Sequence, residues 1–144
     1  MSVDPASLHI LYYPDRVLRE RAREVPSVTD EVRAVARRMI ELMFEAEGVG
    51  LAAPQVGLSW RLFVARVPIG EGRTLESDPP TATAEPVVYI NPVLSTPVGE
   101  IKPYDEGCLS LPDITGEVLR PEHITITATD LDGKKFTRTA AGLL

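Results

Sequence analysis

Reactive side chains are scarce in this sequence: its 144 residues include one cysteine and two histidines. A single cysteine makes no internal disulfide, so the framework is that of a reducing compartment. No apolar run approaches the ~18–20 residues that a membrane span requires. The opening stretch MSVDPASLHILYYPD has neither the basic region nor the long apolar core of a signal peptide. Positive charge is not in excess either. Fifteen Lys and Arg stand against 21 Asp and Glu, a net charge of −6, which favours solubility and argues against a general nucleic-acid binder. The arginines of DRVLRERAR are interleaved with Asp15 and Glu20 and read as a solvated face. No internal repeat is present. These absences leave a cytoplasmic globular protein, without membrane or nucleic-acid partners, as the expectation.

What remains is ordinary for a folded domain. Hydrophobic residues make up 44% and charged residues 25%, and the length suits one domain spanning 1–144 with its own core. From Thr29 to Glu47, spacings of three and four place Val32, Val35, Ala36, Met39, Met43 and Ala46 on one face. That periodicity predicts an amphipathic helix capped by Ser27 or Thr29, with Asp30 and Glu31 at its positive end and Gly48 and Gly50 ending it. WRLFVARV (Trp60 to Val67) and PVVYINP (Pro86 to Pro92) read as strands. Between them, Gly70 to Pro86 reads as a surface loop. HITITATDLDGKKFTRT (His123 to Thr139) reads as a hairpin turning at Asp132-Gly133. One helix followed by several strands predicts an α+β domain with the helix packed on antiparallel sheet.

Two stretches stand out chemically. GVGLAAPQVG, beginning at Gly48, places one uncharged polar side chain, Gln55, in an apolar, tightly turned segment. Its amide either bonds the backbone of its own turn or donates to a developing oxyanion from a rigid position. DEGCLSLP (Asp105 to Pro112) carries Cys108, with Gly107 before it allowing close backbone approach and Pro112 ending regular structure. A lone cysteine is most often a small buried apolar residue; the alternatives are a metal ligand, a nucleophile or a redox-sensitive group. A nucleophile needs a base within hydrogen-bond reach, normally a histidine, and His9 and His123 carry no local signature for that role. Two histidines one helical turn apart with a glutamate between them, HExxH, are absent from the 144 residues.

Taken together and in this order, GVGLAAPQ and EGCLS resemble the first two of three signature motifs of the peptide deformylases. The similarity extends to ILYYPDRVLRERAREV, INPVL, LRPEHITITATDLDGK and AAGLL, and so covers most of the chain. The resemblance implies an α+β fold, with a mixed or antiparallel sheet around the helix. It also implies metal-dependent hydrolysis of the N-formyl group from the initiator methionine of new proteins. Cys108 would be the thiolate ligand of a divalent metal, typically iron(II), replaceable by nickel, cobalt or zinc. Gln55 and the backbone N–H of Leu109 would stabilise the tetrahedral intermediate. Gly50 would bond an extended peptide, Val49 would line the methionine pocket, and Glu106 and Gly107 would shape the loop presenting the thiolate. The implied partners are N-formyl-methionyl peptides of nascent chains, with ribosome association a further option.

The family's third motif is HExxH, and it should begin shortly after AAGLL. It supplies two histidine ligands and the general acid/base glutamate. The sequence ends on Leu143 and Leu144, which reads as a chain cut where its last helix should begin. Thr115 stands where many relatives carry the arginine of a DIRG-like segment, which puts the usual substrate contact in doubt. Inactivity of the chain alone, without stoichiometric metal, is one expectation. The competing readings are a non-catalytic peptide binder and an assembly with a second chain that supplies the missing helix.

Overall fold

A computed structural model describes residues 3–70, 73–75 and 82–141, with side chains described outside 96–107, 111–119 and 121–122. Helix α1 spans Asp30–Glu45. Among the described residues five strands follow: β1 (Gly50–Ala52), β2 (Leu62–Ala65), β3 (Val87–Cys108), β4 (Leu111–Thr129) and β5 (Lys135–Ala141). They form one sheet in the order β1-β2-β3-β4-β5, every neighbouring pair antiparallel. The α+β architecture expected from the sequence is therefore present, and its sheet is antiparallel rather than mixed. Among the described residues no helix is long and apolar enough to cross a membrane.

Thr29 caps α1, its hydroxyl accepting the Val32 N–H at 3.2 Å, while Asp30 and Glu31 occupy the first turn. The buried face comprises Val32, Val35, Ala36, Met39, Leu42 and Met43. Leu42 belongs to it and Ala46 does not, because the helix ends at Glu45 and Ala46 is exposed. The helix end also differs from the expectation. Glu47, not a glycine, takes the left-handed conformation, with φ 57°. The Glu47 and Gly48 N–H groups then reach back to the carbonyls of Phe44 and Met43, at 3.0 and 2.9 Å. Gly50 plays no part in ending the helix; it opens β1.

Alternation along β2 and β3 gives the sheet two apolar faces. Leu62, Val64, Val88 and Ile90 point towards α1 and form the main core with Met39, Met43, Leu51, Ala53 and Val56. Phe63, Val87 and Tyr89 lie on the opposite face with Ile126, Ala128 and Phe136. There Phe63 stacks on Tyr89 with ring centroids 4.5 Å apart.

β3 runs far beyond the segment ending at Pro92, and β4 includes Pro112, the residue expected to end regular structure. Proline has no N–H to give to a ladder. Two of the register shifts in β3 fall across Ile90/Val93 and Ser95/Val98, bracketing Pro92 and Pro97. The strand therefore passes Pro92 and Pro97 at register shifts, whereas Pro103 pairs in register with Leu119. Asn91 takes a left-handed φ of 52° at the first of these points. Its amide donates to the Val25 carbonyl at 2.9 Å and accepts from the Val25 N–H at 2.8 Å, tying the N-terminal segment to the sheet. The β4–β5 turn follows the expected chemistry. Gly133 has φ 80°, and the Asp130 carboxylate accepts the N–H groups of Asp132 and Lys134 at 2.9 and 3.0 Å. Residues 71, 72 and 76–81 of the loop expected from Gly70 to Pro86, and the terminal Gly142 to Leu144, lie outside the described residues.

Candidate active site

Two loops meet beside β1. The first leaves α1 through Gly48 and Val49, passes along β1 and coils into a 3₁₀ turn, Ala53–Val56. Pro54 sits at the start of that turn, where its missing N–H has no partner to lose, and Gly57 closes it with φ 90°. Gln55 reaches back so that its Oε1 accepts the Ala52 N–H at 2.9 Å. This is one half of a capping box; Ala52 has no hydroxyl to make the other half. An N–H only donates, so the amide oxygen must face Ala52 and the amide nitrogen must face away.

On that far side lies the second loop, the turn between β3 and β4. Cys108 pairs with Leu111, leaving Leu109 and Ser110 as the turn residues. Gln55 Nε2 lies 3.6 Å from Cys108 Sγ and donates to Ser110 Oγ at 3.2 Å. Of the two uses weighed for Gln55, the bond to its own turn is made by the oxygen, while the nitrogen faces Ser110 and Cys108 in the second loop. Cys108 is exposed, so it is not the small buried apolar residue that a lone cysteine usually is. Leu109 packs against the main core and Ser110 is 3% exposed.

The N-terminal segment stitches these loops together. Leu11 donates its N–H to the Gln55 carbonyl at 2.7 Å, and Tyr13 donates to the Ser110 carbonyl at 2.9 Å. Both bonds are made by backbone, so no side-chain pattern announces them.

The other candidates are placed as follows. The Val49 carbonyl accepts the Arg66 N–H at 2.8 Å. Gly50, on β1, pairs with Ala65 of β2; among the described residues β1 is one of the two outer strands of the sheet. A Cβ on Gly50 would meet the Val64 carbonyl at an ordinary 3.6 Å, so β2 does not require a glycine there. Glu106 and Gly107 pair with Gly116 and Thr115 just before the turn; the Glu106 and Thr115 side chains lie outside the described residues. His9 is exposed, with Nδ1 3.2 Å from the Ser7 carbonyl. His123 sits opposite Val98 and Ala141, well along β4 from the turn.

A catalytic divalent ion of the zinc kind takes about three protein ligands. Cys108 offers one accessible sulfur. Among the described residues no three His, Cys, Asp or Glu side chains gather where an ion could sit. The described residues by themselves do not fit such an ion. Ser110, which no role was given from sequence, is the residue the structure adds to the site. Its one visible signal is a small polar side chain in the apolar run CLSLP.

Comparison with known proteins bears on the same segments. The polypeptide deformylase family model matches residues 7–144. Peptide deformylase 2 of Gloeobacter violaceus is 39% identical over 140 residues, covering 97% of this chain and 68% of the relative. The crystal structure of peptide deformylase from Ehrlichia chaffeensis superposes with a TM-score of 0.87 at 31% identity, over 95% of this chain and 76% of that one. A peptide deformylase from Synechococcus elongatus, solved in complex with actinonin, gives a TM-score of 0.80 at 34% identity, over 99% and 70%. With the match running through both loops and the whole sheet, the chain belongs to the polypeptide deformylase family.

Proposed function

We propose that this chain forms the formyl- and peptide-recognition part of a deformylase site. The reaction it serves is hydrolytic removal of the N-formyl group from the N-terminal formyl-methionine of nascent proteins. The observation that carries this reading is the approach of Gln55 Nε2 to 3.6 Å from Cys108 Sγ, between loops far apart in sequence. A neutral donor fixed beside a thiol suits a carbonyl oxygen that gains negative charge as water adds. Gln55 Nε2 and the Leu109 N–H are assigned to that oxyanion; losing one such donor typically costs about 10²–10³ in rate. Gly50, on an outer strand, bonds the substrate backbone by strand addition. Val49 lines the methionine pocket, and Glu106 and Gly107 shape the loop that carries Cys108.

Cys108 is assigned as the thiolate ligand of the family's divalent metal, iron(II), with nickel, cobalt or zinc as substitutes. The 144 residues contain no HExxH to complete the ligand set or to activate water. Taken by themselves they are expected to hold metal well below one equivalent and to be inactive. The cytoplasm, where formylated chains emerge, is the place assigned to the protein. Turnover of formyl-Met-Ala-Ser, measured with metal analysis on the same sample, tests this; clear turnover would overturn the inactivity.

A non-catalytic peptide-binding role is the second reading. It is favoured by the way Gln55, the turn and the outer strand β1 are held together within these residues. Saturable binding of formyl-Met-Ala-Ser, displaced by actinonin, supports recognition. Neither binding nor turnover would remove both readings.

A further inference from the structure

We infer that Ser110 is the positioning residue of this site: its buried hydroxyl takes one hydrogen of the Gln55 amide and so aims the other at the Cys108 side. The inference rests on the deformylase reading only for what the aimed hydrogen is used on. The aim itself follows from the bonds.

The last torsion of a glutamine is broad and roughly two-fold, so an amide with one anchor still swings. Gln55 has its oxygen anchored on the Ala52 N–H at 2.9 Å. That bond decides which end faces the second loop but leaves the tilt of the NH₂ group open. Ser110 Oγ, at 3.2 Å from Nε2, removes the remaining freedom. The two hydrogens diverge within the amide plane, so committing one to Ser110 directs the other towards Cys108 Sγ, 3.6 Å away.

Ser110 is suited to this because it is buried and its backbone is tied down. It is 3% exposed, so water does not readily replace its hydroxyl. The Tyr13 N–H holds its carbonyl at 2.9 Å, and the neighbouring Leu109 is packed against the main core. An alanine here would face one amide hydrogen with a methyl group, leaving that donor unpaired.

The test needs no turnover. Gln55 is the only glutamine and Asn91 the only asparagine in the chain, so the side-chain NH₂ region of an ¹⁵N spectrum contains two pairs of signals. Asn91 has its own bonds to Val25 and reports on the fold independently. In the unaltered 144-residue protein the two Gln55 protons are expected to be well separated, with the Ser110-facing one slow to exchange with water. In Ser110→Ala the pair is expected to converge and its exchange to quicken roughly tenfold, while the Asn91 pair stays in place. A Gln55 pair unmoved by the substitution, with Asn91 also unmoved, overturns the inference. Should Ser110→Ala not fold, the unaltered protein decides: unequal exchange of the two Gln55 protons supports the aim, and equal exchange refutes it. Adding formyl-Met-Ala-Ser separates the two claims. A shift confined to the Cys108-facing proton supports both, whereas no shift alongside unequal exchange sinks the deformylase reading and leaves the aim standing.

Discussion

Gly48 and Leu109 compete for one space: a Cβ built on Gly48 falls 2.7 Å from Leu109 Cδ1 and 3.3 Å from its Cγ. A methyl group on Gly48 therefore requires the Leu109 side chain, which packs against the main core, to shift. Because Gly48 does not sit at positive φ, space rather than backbone freedom explains this glycine.

Gly48→Ala is accordingly expected to push Leu109 aside and to cost about 1–3 kcal/mol of stability, the usual penalty of overpacking. The same substitution on a Leu109→Ala background has nothing to displace and is expected to cost far less. Urea midpoints of the four proteins in that cycle check the coupling; additive effects would contradict the contact.

Asn91 combines a left-handed φ of 52° with two bonds to Val25. Asn91→Ala loses both bonds and keeps an alanine in strained backbone. Asn91→Gly loses the bonds alone. The glycine variant is expected to be the more stable of the two by about 1 kcal/mol, with both below the unaltered protein by about 1–3 kcal/mol for unpaired groups. Denaturant titration reads this order directly, and equal stabilities would show that the φ is not strained.

Leu42→Ala is expected to cost about 2–5 kcal/mol, because Leu42 is 6% exposed within the main core. Ala46→Ser, one turn on, is expected to stay within about 0.5 kcal/mol, as surface changes do. Thermal melts of the two variants decide whether the helix face ends at Met43 or extends to Ala46.

Cys108 is the only cysteine and is exposed. One equivalent of thiol is therefore expected to react with an aromatic disulfide reagent in the native protein, without denaturant. Reaction that appears only in urea would contradict the placement of the turn.

Much of this was legible in the chain. The three-and-four spacing from Val32 to Met43 located α1, since such a helix draws most of its stability from burying one stripe against its neighbours. Alternation with threonines located the β4–β5 hairpin, where Thr125 faces Thr139 and Thr127 faces Thr137 on the exposed side. β3 was less legible: its prolines look like strand breakers, and a sequence does not show that register shifts carry the ladder past Pro92 and Pro97 while Pro103 pairs in register. The helix end was misread for a similar reason. Glycine is the usual left-handed residue, but here Glu47 holds the left-handed position, and Gly48 packs against Leu109 without a positive φ.

By itself the sequence determined the helix, the class of fold and the two motifs that meet, because those depend on periodicity and on residue types in a fixed order. Tertiary structure alone decided how they meet. A glutamine amide has two ends, and nothing local says which way it points. The Ala52 N–H, the Ser110 hydroxyl and the backbone bonds from Leu11 and Tyr13 make that choice. All of these partners but Ala52 come from distant parts of the chain, and folding alone brings them to Gln55.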